Sequence, residues 1–207
     1  LMTSTSPAIE IIDIRDPDKP THAGELKLTA LPGLGTESHD ITFSDDGTRA
    51  YSAALSHGVI IDTTNPAQPS VVSEFDDEAI NVWHQADPYT HRNEDGTKRE
   101  FLIVEDEFAG AAGPGVCPTG GVHIYDITGD NEQSPVKVGY WNIDEVRQTD
   151  RGVTSHINAH SCTAHVFDIH PKEALMTIAF YNGGVRVVDL SGIVGVALGG
   201  TGVGMKE

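Results

Sequence analysis

Gly184-Val185-Arg186-Val187-Val188-Asp189 is a short apolar strand that ends on an aspartate, and the same phrase occurs three more times. Its copies are Ile9-Glu10-Ile11-Ile12-Asp13, Gly58-Val59-Ile60-Ile61-Asp62 and Gly121-Val122-His123-Ile124-Tyr125-Asp126. Two copies leave by the same turn, Asp13, Asp16, Pro17, Pro20 in the first and Asp62, Asn65, Pro66, Pro69 in the second. The third stretches that exit through Gly129 and Asp130 to Pro135. A repeated unit that cannot bury its own faces has to stack on its neighbours, so the repeat decides the architecture before any single residue is read for chemistry.

Working outward from each copy, short strands and turn residues alternate. Residues 38–75 hold His39 to Ser44, the turn Asp45-Asp46-Gly47, Arg49 to Ala53, the repeat strand, and Ser70 to Phe75. Four short strands with Asp-Gly and Asn-Pro turns between them describe one blade of a β-propeller. Residues 81–143 repeat the pattern with two insertions, Tyr89 to Arg99 and Phe108 to Gly120, each expected between strands. Residues 8–34 supply half a blade, and residues 160–207 an incomplete one that stops after the repeat strand. The expected fold is all-β: antiparallel four-stranded propeller blades, about three and a half of them, in one partial propeller over residues 1–207. Since a ring closes with about four to eight blades, the chain is expected to be part of a larger closed propeller, whose remainder is its first partner.

With 13 basic and 31 acidic residues among 207, the formal charge is −18. That field repels phosphate backbones and anionic headgroups, so nucleic acid is excluded as a partner. No apolar run is long enough for a membrane-spanning helix, and membrane insertion is not expected. The chain begins Leu1-Met2-Thr3-Ser4, without a basic or apolar leader, and a signal peptide upstream of it is compatible with an extracellular or cell-surface protein. No nucleophile elbow, phosphate loop, H-E-x-x-H or C-x-x-C is present.

Three blades open on a histidine. His39 and His165 precede Asp62 and Asp189 by nearly the same stretch, and His84 opens the blade between them. First strands line a propeller's channel, so the three imidazoles should meet at one mouth from adjacent blades, with His160 close by and His156 and His57 near. Imidazole suits zinc or copper, and Glu105, Asp106 and Glu107 end a second strand on the same face, where they could complete a metal site. The alternative is structural: histidines that staple blades together by hydrogen bonds. His22, His91 and His170 fall in turns on this reading. Cys117 and Cys162 lie in loops that propeller strand order brings to the same face one blade apart, so a disulfide between them is expected, against two free thiols as the alternative. A disulfide would fit an oxidising compartment.

The repeat strand ending in Asp with the D-P-x-x-P exit resembles the LVIVD repeat of bacterial and archaeal secreted or surface propellers. His160-Ser161-Cys162-Thr163-Ala164-His165 and Phe180 to Asp189 look like that family's later blades. The resemblance implies a propeller and an extracellular or cell-surface location, with no settled activity. Ser38-His39-Asp40 is more distantly similar to the selenium-binding, methanethiol-oxidase-like propellers, which use metal-binding histidines. The expected function is therefore a binding module that takes a protein or small-molecule ligand at its loop face, with a histidine-lined metal site at the channel mouth. The alternative is a copper-dependent oxidase of small sulfur compounds.

Overall fold

The computed structural model describes residues 8–28, 37–107, 120–143, 163–181 and 183–193. His160, His156, Cys117 and Cys162, with most of the Phe108 to Gly120 insertion, lie outside them. Among the described residues thirteen strands form four antiparallel sheets. The first sheet pairs β1 (Ala8–Asp13) with β2 (Thr21–Lys27). The second runs β3 (Asp40–Phe43), β4 (Arg49–Ala53), β5 (Gly58–Asp62) and β6 (Ser70–Phe75) in order. The third is β7 (Trp83–Arg92), β8 (Lys98–Asp106), β9 (Val122–Asp126) and β10 (Val136–Trp141). The fourth holds β11 (Ala164–His170), β12 (Leu175–Phe180) and β13 (Gly184–Asp189). These are the propeller blades the repeat requires, and the repeat strands are β1, β5, β9 and β13.

The repeat's aspartate ends each strand by one device. Oδ1 of Asp13, Asp62, Asp126 and Asp189 accepts a hydrogen bond from the backbone N–H two residues on, at 2.9, 2.8, 2.8 and 2.8 Å. Such an Asx turn gives the chain a local partner in place of the next ladder bond, and the strand stops there. Asp46 and Asp95 do the same for Thr48 and Thr97 in the Asp-Gly hairpins, where Gly47 and Gly96 take the positive φ that the turn demands.

The sheets stack face to face, which is why their strands read as continuous apolar runs rather than as an alternation. Val59 and Ile61 pack with Leu26 of β2 and Leu28 just beyond it. Ile60, between them, points the other way, into a core with Trp83, Leu102, Val104 and Tyr125. Phe101, Ile103, Val122 and Ile124 face the fourth sheet and meet Phe167, Met176, Ile178 and Val188. Period-two side-chain alternation thus serves two interfaces at once. Beyond β13 no sheet among the described residues covers the outer face, and Val185 and Val187 are exposed.

Two expectations need correction. Tyr89 to Arg99 is not a loop between strands: β7 continues to Arg92 and pairs with β8 from Lys98, so the insertion lengthens the hairpin itself. His91 accordingly lies in β7, and His22 and His170 lie in β2 and β11 rather than in turns. Pro88 sits inside β7, which is the edge strand of its sheet, where a missing N–H costs no ladder bond on the open side.

Candidate metal centre

First strands of successive blades are neighbours: β3 packs beside β7, and β11 beside β7 and β8. Polar side chains bind them. Thr42 donates to Asp87 at 2.5 Å, and the Gln85 amide donates to the Phe167 carbonyl at 2.8 Å while its oxygen accepts from the Phe167 N–H at 2.9 Å.

Each blade's strand-two exit is tied to a first-strand entry. Leu55, after β4, exchanges backbone bonds with Trp83 at 3.0 and 2.8 Å, and it does so at a positive φ of 62°. Ala164 N–H donates to Gly120 at 2.6 Å. Asp106 accepts from the N–H groups of Asn81, Val82 and Gly120 and from the Asn81 amide. These bonds fix the chain immediately before His84 and His165.

Both histidines stand where the ladder slips. The β7–β8 register shifts between Trp83 and Gln85, and the β11–β12 register shifts between Ala164 and Phe167. A bulge of one extra residue re-aims a side chain, and here it turns two imidazoles toward each other. Their ring centroids are 4.8 Å apart, and His39 lies 4.6 Å from His84 on the other side. The three predicted histidines therefore converge. The β3–β4 pairing has no such shift.

Glu107 joins the histidines. Its Oε2 is 3.4 Å from His84 Nε2 and its Oε1 is 3.8 Å from His165 Nε2. One ligand atom from each of His84, Glu107 and His165 lies within 4.8 Å of the others, so this group could hold a metal ion. A tetrahedral ion with bonds of about 2.0–2.1 Å separates its ligands by roughly 3.3 Å, so only a small closure is needed. His39 is not in this set. His57 is fully buried and bonds Ser56; its burial pushes the imidazole pKa down. It is absent from the metal-ligand group.

Beneath the group lies Glu105, whose side chain is 0% exposed. Its Oε2 is 2.9 Å from His84 Nδ1, yet neither carboxylate oxygen nor that nitrogen has an aligned hydrogen-bond partner. At that separation only direction can be at fault. Burial, with Glu107 and Asp106 beside it, pushes the Glu105 carboxyl up to about 10.

The outer side is open. His165 is 44% exposed, and Tyr181, also exposed, donates its hydroxyl to Glu107 Oε1 and stands edge-on to His165 at 5.5 Å. Sequence reading did not single out Tyr181 for the site. The signal was blade equivalence: Glu107 and Tyr181 both follow strand two, and each backbone N–H donates to the residue two before its blade's histidine, Val82 at 3.1 Å and Thr163 at 3.0 Å.

No protein-family model matches the chain, and a search of curated proteins finds no match. Among solved structures the chain is similar to a protein from Lactobacillus plantarum, with 15% identity and a TM-score of 0.54, over 89% of this chain and 45% of that one. It is also similar to a functionally unknown protein from Desulfotomaculum acetoxidans, with 16% identity and a TM-score of 0.51, over 91% of this chain and 49% of that one. Likeness at this identity carries the fold alone. The chain spans a little under half the length of each.

Proposed function

We propose that this chain is a metal-bearing binding module of a secreted or cell-surface propeller, with zinc or copper held by His84, Glu107 and His165 at one mouth of the channel. The observation that carries the reading is the convergence of those three ligand atoms within 4.8 Å, from two blades. Two imidazoles and a carboxylate are a donor set that suits zinc, and three protein ligands leave a position for an outside group. The exposed flank at His165 and Tyr181 gives a protein or small-molecule ligand access to that position. The formal charge of −18 favours cation capture over the binding of anions.

The resemblance of the repeat to LVIVD propellers supports the extracellular location. Exposed Val185 and Val187 on the last sheet fit further blades of the same ring. The test is metal analysis of protein purified without chelator or affinity metal. About one zinc or copper per chain, lost in His84→Ala, supports the reading, and a metal-free protein that also fails to load opposes it. Copper together with turnover of a small thiol would favour the oxidase instead.

A further inference from the structure

We infer that Glu105 is a positioning residue for this centre: it takes a hydrogen bond from Nδ1–H of His84 and so presents Nε2 of that ring to the metal and to Glu107. The inference rests on the metal reading above and adds to it the part that holds the ligand still. His84 is placed between two carboxylates, Glu105 Oε2 at 2.9 Å from Nδ1 and Glu107 Oε2 at 3.4 Å from Nε2. One nitrogen faces the solvent-open group and the other faces a carboxyl group wholly shielded from water. A neutral imidazole has one N–H and one lone pair, so a metal on Nε2 leaves the proton on Nδ1, where an oxygen of Glu105 accepts its hydrogen bond whether that carboxyl is ionised or protonated.

The register explains why Glu105 reaches this place. Along β8 and the residue just past its end, Ile103, Glu105 and Glu107 alternate with Val104 and Asp106. Asp106 turns the other way and is consumed by the backbone of Asn81, Val82 and Gly120. Glu105 has no such employment. A carboxyl group that is 0% exposed and unpartnered is costly to keep in an interior even when protonated, and His84 Nδ1 stands 2.9 Å from it. A small rotation of the ring, freed by the bulge at this position, aligns the bond. A metal drawing on Nε2 makes Nδ1–H a stronger donor, so each contact strengthens the other.

The experiment titrates the apo-protein with Zn²⁺ for wild type, Glu105→Gln, Glu105→Asp and Glu105→Leu, with the thermal midpoint of each apo form as a folding control. Long-range ¹⁵N–¹H spectra of the Zn²⁺-loaded forms read the His84 tautomer. Wild type should show Nε2 metallated and Nδ1 protonated. Glu105→Gln should weaken Zn²⁺ binding about tenfold to a hundredfold at an apo midpoint no lower than wild type, with partial recovery in Glu105→Asp. Equal affinity and an unchanged His84 spectrum in Glu105→Gln would overturn this inference while leaving the metal site standing. Failure of wild type to bind Zn²⁺ would remove both. If Glu105→Leu fails to fold, the Gln and Asp variants decide.

Discussion

The side-chain amide of Gln85 holds both backbone groups of Phe167, donating to its carbonyl at 2.8 Å and accepting from its N–H at 2.9 Å. A glutamine thus imitates a ladder partner across the gap between two blades, one residue beyond His84 and two beyond His165. It sets the spacing of the imidazoles as well as the packing of the blades.

Gln85→Ala should leave a buried N–H and carbonyl on β11 without partners. The expected loss is about 2–4 kcal/mol of unfolding free energy, read from denaturant melts. Because the same bonds register β11 against β7, metal affinity should fall too, although Gln85 touches no ligand atom.

The repeat's opening glycine is required for different reasons in different blades. A Cβ on Gly121 would stand 2.3 Å from the Trp141 carbonyl oxygen, which is backbone and cannot swing away, whereas at Gly58 it would meet the Trp83 and Phe75 rings at 2.7 and 2.9 Å. At Gly184 a Cβ would meet the Arg186 Nη1 at an ordinary contact distance of 3.5 Å, but φ is +77°. The expected order of destabilisation is Gly121→Ala beyond Gly58→Ala, the latter costing about 1–3 kcal/mol by overpacking, with Gly184→Ala near 1 kcal/mol. Thermal midpoints of the three variants check the order.

His123 is 2% exposed, and neither ring nitrogen has a partner. Burial first, then the Lys137 charge, pulls its pKa down to about 3, against a small opposing pull from Asp77. The folded protein therefore refuses a proton that the unfolded chain accepts below about 6.5. The stability this group contributes is complete above that pH and declines as pH falls toward 3, by up to about 1.4 kcal/mol per unit. His123→Phe should flatten the stability curve between pH 6 and 5 by about 1 kcal/mol. His57, shifted the same way by burial, leaves a residual slope.

What the sequence made legible was the part that repeats. The strand ending in aspartate marked β1, β5, β9 and β13, because one Asx turn recurs at each copy. The histidines at 39, 84 and 165 could be aligned on that ruler and do converge. The bulges at His84 and His165 were not legible, since an extra residue in a ladder leaves no mark in composition, and they accompany the pair that joins Glu107 while His39 stays outside. The β7–β8 hairpin was hidden because Tyr89 to Arg99 is polar and carries an Asp95-Gly96 turn, which reads as a loop although β7 runs on to Arg92. Glu105 and Glu107 differ only in what covers them, and burial of that kind belongs to the assembled blades.

The most direct test of the metal centre is a competition titration of chelator-stripped protein with Zn²⁺, repeated for Glu107→Gln and His165→Ala. Wild type should take up one equivalent, and each substitution should weaken that uptake at least about tenfold, since each removes one of three ligands. Zn²⁺ bound with the same stoichiometry and affinity in all three proteins, or not bound by wild type at all, would contradict a metal held between β7, the exit of β8 and β11.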